Sequence, residues 1–332
     1  MSQTHRAETL GDAQTLSTTD ATRGLVPIPA PERGLPSATA VPYFKLSDGV
    51  MPLEGPAFDR AGNLLFVDIY GGRILRLSPD RQLSTVYSVP GEHPAGIAVH
   101  RDGRIFVACV GRIAADGGSF VNGSIFAIQP DGSERQTIVA PELGHVVDDL
   151  VFDNEGGLYF TDFRGTATQP LGGLYYVPPD DPRVRTVLPD LCGANGVALS
   201  PDAKVLWTTE YFANRLHRMD LRAPGSIARS GSMVPYHFIG RAPDSMRTDS
   251  AGNVYVALQR QGRILAFTPF GVPIGQILMP GREDNHFLPC TSLAIVPGSR
   301  DLFITSWDLN GRGSWIFAAR GLAEGFRMFS HQ

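Results

Sequence analysis

The chain of 332 residues could form one large β domain or two ordinary ones. With 42% apolar and 19% charged residues, 37 glycines and 26 prolines, it suits a turn-rich globular fold better than a helical bundle. A formal charge of −4 with the 29 basic residues scattered argues against nucleic acid or a membrane as partner, and points to small neutral or weakly charged ligands.

The first 24 residues are polar and lack an apolar pattern, which predicts a disordered or loosely docked extension. Residues 25–332 are expected to form a single domain. With no apolar leader and no 18-residue apolar run, the protein is expected to be soluble and cytoplasmic. Cys109, Cys192 and Cys290 contain no Cys-x-x-Cys pair and are odd in number, so they read as small buried hydrophobes.

Beyond a candidate strand "AVPYFKLS" (40–47), one pattern recurs along the chain. It appears as "EGPAFDRAGNLLFVD" (54–68), "AGIAVHRDGRIFVA" (95–108), "DDLVFDNEGGLYFTD" (148–162), "NGVALSPDAKVLWTTE" (195–210), "DSMRTDSAGNVYVA" (244–257) and "SLAIVPGSRDLFITS" (292–306). Each copy reads as a short strand, a Gly/Asp/Asn/Pro turn and a second strand rich in β-branched and aromatic residues. A third strand follows, such as "RILRLSP" or "GRILAFTP", and in places a weaker fourth, "LSTVYSV". No segment sustains a 3.6-residue apolar period. The copies start at 54, 95, 148, 195, 244 and 292, a spacing of 41 to 53 residues. That spacing, with about four antiparallel strands per copy, predicts an all-β, six-bladed β-propeller. The last copy has too little chain after it to finish a blade, so "AVPYFKLS" is expected to supply the missing strand and close the ring.

The first strand of a propeller blade lines the central channel, which brings Glu54, Ala95, Asp148, Asn195, Asp244 and Ser292 to one level. Three carboxylates crowded there need a proton, a basic partner or a metal, and the aligned set contains no Lys or Arg. Oxygen donors without His or Cys favour a hard divalent cation: Ca²⁺ first, Mg²⁺ or Mn²⁺ next, Zn²⁺ less so. A cation with few protein ligands keeps positions open for water and substrate. It can then polarise a carbonyl while a carboxylate moves a proton, which is the chemistry of ester, and most naturally cyclic ester, hydrolysis.

Over residues 40–330 the chain resembles the family of senescence-marker protein, gluconolactonase and luciferin-regenerating enzyme. The likeness is carried by "LEGPAFD", "DDLVFDNEGGLYFTDFRG", "ANGVALSPDAKVLWTTE", "NRLHR", "PDSMRTDSAGNVYVA", "RQGRILAF" and "PIGQILMPGRE". Within that family it is most similar to the bacterial drug-responsive lactonases. The resemblance implies a small-molecule lactone as substrate. It also implies that Glu54, Asp148, Asn195 and Asp244 hold Ca²⁺, with Ser245 as a further ligand and Asp244 as the proton-transferring acid. The chain departs from those lactonases where a second, structural Ca²⁺ would sit. The loop "CVGRIAADGGSFVNGSIF" is longer, and "APELGHVVDD" has only Glu142 near the required register.

Around the ring, Arg164, Tyr211 and His286 are candidates for contacting substrate. For each a plainer role competes: Arg164 pairing with Asp162, Tyr211 and Phe212 packing, His286 and Glu283 in a solvated loop. Asp149 reads as a support for the ring rather than a ligand. No Gly-x-Ser-x-Gly elbow, His-Glu-x-x-His pair or phosphate-cradling glycine loop is present. Two rivals to a lactonase stay open: a non-catalytic binding propeller with structural Ca²⁺, and an esterase or phosphotriesterase using the same ion. Nothing in the sequence sets the oligomeric state.

Overall fold

Strands that are apolar on both faces must be covered on both faces, and six sheets arranged around an axis satisfy that by packing each against its two neighbours. The computed structural model describes residues 16–19, 23–115 and 117–332, so most of the expected extension at 1–24 lies outside the described residues. The innermost strands of blades 1 to 6 are Leu53–Phe58, His93–Val99, Val147–Phe152, Ala194–Leu199, Pro243–Thr248 and Cys290–Ile295. Second, third and fourth strands follow outward in antiparallel order.

The six-bladed propeller read from the repeat is the observed architecture. One apolar cluster fills each gap between blades. Leu65, Ile74, Ile97 and Phe126 lie between blades 1 and 2, and Tyr255, Ile264, Leu293 and Phe317 between blades 5 and 6. Burying a side chain of this size contributes about 1.5–3 kcal/mol. All three cysteines are buried and unbridged, as expected. Among the described residues no helix is long and apolar enough to cross a membrane.

The ring closes as predicted, with Val41–Ser47 pairing antiparallel to Gly313–Arg320 so that blade 6 joins both ends of the domain. The sequence did not announce a further strand. Ser37–Thr39 runs parallel to Pro273–Leu278 and gives blade 5 five strands. Just upstream, Glu32 is 1% exposed, pairs with Arg263 and accepts a hydrogen bond from the Tyr236 hydroxyl. At the other end of the channel the C-terminal segment closes the axis. Phe329 packs edge-on against His100 and is joined by Phe152, and Arg60 Nε donates to the Ser330 carbonyl at 2.6 Å. A cavity of about 50 Å³ remains above this plug, walled mainly by apolar residues such as Ile97, Leu150, Val197 and Ala294.

Candidate active site on the channel axis

Simple alternation would not present two successive polar residues to the channel; a local break in the ladder does. In every blade the register between first and second strands shifts at the aligned position: at Glu54/Ala57, Pro94/Gly96, Val147/Leu150, Ala194/Val197, Pro243/Met246 and Cys290/Ser292. A bulge re-aims side chains and increases local twist. Glycine then lets the inner strands approach. A Cβ on Gly96 would stand 2.7 Å from the Asp148 carbonyl oxygen, and one on Gly196 would stand 2.8 Å from that of Asp244. Threonines of the second strands fix the level of the next blade. Thr161 Oγ1 donates to the Asn195 carbonyl at 2.5 Å, and Thr209 Oγ1 donates to the Asp244 carbonyl at 2.7 Å. The backbone of each of these two ring residues is thus held by the blade before it.

Glu54, Asp148, Asn195, Asp244 and Ser245 are brought together. Asn195 Nδ2 donates to Asp148 Oδ2 at 2.7 Å, Ser245 Oγ lies 3.5 Å from Glu54 Oε2, and the Gly55 N–H donates to Glu54 Oε2 at 2.9 Å. Burial, and then the neighbouring charge of Asp149, push the Asp148 carboxyl up to about 8. Burial followed by the Asp148 charge holds Glu54 far above its usual range. Burial, then Glu54 and Asp148, do the same to Asp244, against hydrogen bonds from the Asn195 side chain and the Ser245 backbone. Ala95 contributes no donor, and Ser292 Oγ is buried without a hydrogen-bond partner among the described residues.

Among the described residues no three His, Cys, Asp or Glu side chains close into a metal cage by themselves. The donor set fits a hard cation all the same. Burial pushes all three carboxyls toward their neutral forms, helped by Asp149 at Asp148, by Asp148 at Glu54, and by Glu54 and Asp148 at Asp244, and Asn195 Oδ1 is buried with no hydrogen-bond partner. A divalent ion would neutralise the crowding and use the orphaned amide oxygen, both of which are otherwise costly. Glu142 is exposed at a 3₁₀ turn, Pro141–Leu143, away from any such cluster among the described residues.

The outer candidates divide. Arg164 is tied to Asp162, with Nε 2.9 Å from Oδ2 and Nη2 2.7 Å from the same oxygen, and His145 Nδ1 lies 2.8 Å from it as well. Burial would raise Asp162, but the hydrogen bonds from His145 and Arg164 outweigh it and hold the carboxyl low. His286 Nδ1 is 2.8 Å from Asp308 Oδ2, which likewise occupies it within the protein. Tyr211 stands closer to the chemistry. Its hydroxyl donates to Gln259 Oε1, its ring meets Phe163 and Phe212 edge-on, and its phenol feels the Asp244 charge.

Sequence reasoning read Cys290 as a small buried hydrophobe and Asp149 as a support for the ring, but found the surroundings of neither. Cys290 is buried against Asp244 and Glu54, where burial and those two charges keep its thiol protonated. Beneath the ring Asp149 accepts from Arg247 Nη1 at 3.0 Å, an ion pair buried in the channel. The signal for the first was its place two residues before the aligned serine, Ser292. The second joins residues 98 apart in sequence, and only the closed ring brings them together.

The sequence model described as "SMP-30/Gluconolactonase/LRE-like region" matches residues 53–308, which begins one residue before the first ring carboxylate and spans all six aligned positions. Lactonase drp35 of Staphylococcus saprophyticus is 44% identical over 316 residues, covering 93% of this chain and 95% of that protein. Among solved structures, a luciferin-regenerating enzyme superposes with a TM-score of 0.70 at 20% identity, covering 86% of this chain and 97% of the other. The calcium-binding protein regucalcin of Agrobacterium tumefaciens superposes with a TM-score of 0.70 at 18% identity, covering 88% and 98%. The structural likenesses speak for the fold; the sequence match over the site-bearing strands speaks for descent. The chain belongs to the SMP-30/gluconolactonase/LRE-like family.

Proposed function

We propose that this protein is a metal-dependent lactonase acting on a small-molecule cyclic ester. Glu54, Asp148, Asn195 and Asp244 hold Ca²⁺, Ser245 adds its hydroxyl, and Asp244 is the proton-transferring group. The observation that carries this reading is the axial trio of mutually opposed carboxylates beside a buried amide oxygen without a partner. Bound there, a divalent cation supplies a Lewis acid for the lactone carbonyl; all-oxygen donors favour Ca²⁺, with Mg²⁺, Mn²⁺ and then Zn²⁺ behind. Asp244 takes a proton from water as the water oxygen bonds to the carbonyl carbon. It returns that proton to the ring oxygen as the C–O bond breaks, giving the hydroxy acid. Tyr211, Phe163 and Phe212 pack as one aromatic cluster, and the Tyr211 phenol lies within reach of the Asp244 charge.

A panel of aromatic and sugar-derived lactones tests this directly. Hydrolysis of at least one member is expected to stop with EDTA and return with added Ca²⁺. A panel with no chelator-sensitive turnover would leave a binding module in place of an enzyme.

The raised carboxyls also make metal binding pH-dependent. In the metal-free protein the folded state keeps protons on the ring that the unfolded chain has already released. Between the ordinary carboxylate range and about pH 8, the Asp148 value, the metal-free fold therefore loses stability as pH rises. A cation must displace those protons. Ca²⁺ affinity is expected to rise about tenfold per pH unit for each proton displaced, flattening near pH 8 where Asp148 is concerned. Calorimetry at pH 6, 7 and 8 measures it, and an affinity independent of pH would contradict the protonated ring.

A further inference from the structure

A groove of about 420 Å³ lies between the N-terminal segment and the entry to blade 5, lined by apolar Leu25, Val26 and Ile239 and by the cations Arg33, Arg241 and Arg260. No acidic residue among the described ones lines it. Ala242 and Gln259 exchange backbone hydrogen bonds in both directions at 3.0 Å, and Pro243 pairs with Leu258, so Arg241 and Arg260 lie just beyond the end of the same ladder, one in a bend and the other in a turn. Two cations lining one groove with no acid between them repel. Neither guanidinium has a hydrogen-bond or ion-pair partner among the described residues, whereas Arg33 Nε is held by the Ile28 carbonyl at 2.9 Å. Arg260 also adopts φ +66°, a left-handed conformation that favours Gly or Asn. The corresponding loop positions in blades 1 and 4 carry aromatic side chains, Tyr70 and Phe212.

The groove adjoins the active site through Tyr211. Its hydroxyl bonds to Gln259, the residue just before Arg260. Burial pushes that phenol up to about 12, with Asp244 adding to the rise and both Arg260 and Arg241 pulling against it.

We propose that Arg241 and Arg260 form a carboxylate subsite, so that the lactones taken best combine an apolar body with a carboxylate lying away from the scissile ester. Two guanidinium forks offer charge-assisted hydrogen bonds to one carboxylate and relieve their own repulsion, while the apolar wall takes the body of the ligand. This rests on the lactonase reading of the axial site.

The test uses two lactones with the same ring, one neutral and one bearing a carboxylate, with the wild-type protein and the Arg241→Gln/Arg260→Gln variant. For the carboxylated lactone kcat/KM is expected to fall about 10- to 100-fold, mostly through KM. The neutral lactone is expected to change less than about threefold, and Arg241→Lys/Arg260→Lys to recover part of the loss. An equal loss on both lactones, or none on either, overturns the subsite while leaving the lactonase reading intact. In a second arm, calorimetry of 3-phenylpropionate and 3-phenylpropanol needs no turnover. Binding of the acid alone, lost in the Gln variant, supports the subsite even if neither lactone is hydrolysed, in which case only the lactonase reading fails. Equal binding of acid and alcohol overturns the subsite.

Discussion

Asp244→Asn is expected to lower kcat by about 10²- to 10⁴-fold at saturating Ca²⁺, the usual consequence of losing a general acid/base. The substitution keeps the shape of the side chain and one oxygen donor, and the backbone at 244 stays anchored by Thr209 Oγ1 at 2.7 Å. It removes the ability to take up and release a proton. The charge on the ring also falls, so the proposed Ca²⁺ would be held more weakly, by Glu54, Asp148 and Asn195. The two effects separate experimentally: Ca²⁺ titration reports the affinity, and kcat with the metal sites filled reports the chemistry. If the variant turns over at the wild-type rate once saturated with Ca²⁺, Asp244 is a ligand only and another group moves the proton.

Why the ring could be read from sequence at all follows from two different registers of acids. Asp59, Asp153 and Asp249 sit in the tight turns after the first strands, where each accepts a backbone N–H four residues on, from Asn63, Gly157 and Asn253 at 2.8–2.9 Å. Those are turn acids, and their recurrence sets the alignment. Glu54, Asp148 and Asp244 then fall five residues earlier in the same three copies, where no turn requires them. An acid without a local reason, repeated in register, had to have a spatial one.

What the sequence concealed is what depends on closure or on broken periodicity. The bulge at every aligned position leaves no apolar signature, because the residues it frees are polar in some blades and Pro or Gly in others. Ser37–Thr39 is exposed throughout and has no alternation to mark it as a strand; its backbone bonds to blade 5 define it. For Arg164 the competing pairing with Asp162 could be read because the two are neighbours in sequence, and it is the arrangement found; for His286 the partner, Asp308, ends a second strand 22 residues on and had no local signal. That Arg241 and Arg260 line one groove is invisible until the pairing of their two strands is known.

The ion pair beneath the ring leads to the second large effect. Arg247→Met is expected to destabilise the fold by about 3–5 kcal/mol, the scale for removing one partner of a buried pair. Asp149 is 1% exposed and Arg247 is also buried, so the carboxylate left behind could not recover its solvation from water. It would retain only backbone donors, Leu150 N–H at 2.9 Å and the longer contact from Val197 N–H at 3.4 Å. Its charge already bears on Glu54 and Asp148, so leaving it unpaired sharpens the repulsion within the ring. The pair also spans three blades, since Asp149, Val197 and Arg247 follow Asp148, Asn195 and Asp244 along their inner strands. Arg247→Met combined with Asp149→Asn removes the stranded charge and keeps an acceptor for Leu150, and is expected to recover at least half of the lost stability. Urea unfolding of wild type, single and double variants in excess EDTA, with unchanged m-values, measures the cycle without a contribution from bound metal. A loss below about 1 kcal/mol in Arg247→Met would mean that water reaches Asp149 and the pair is not what supports the ring.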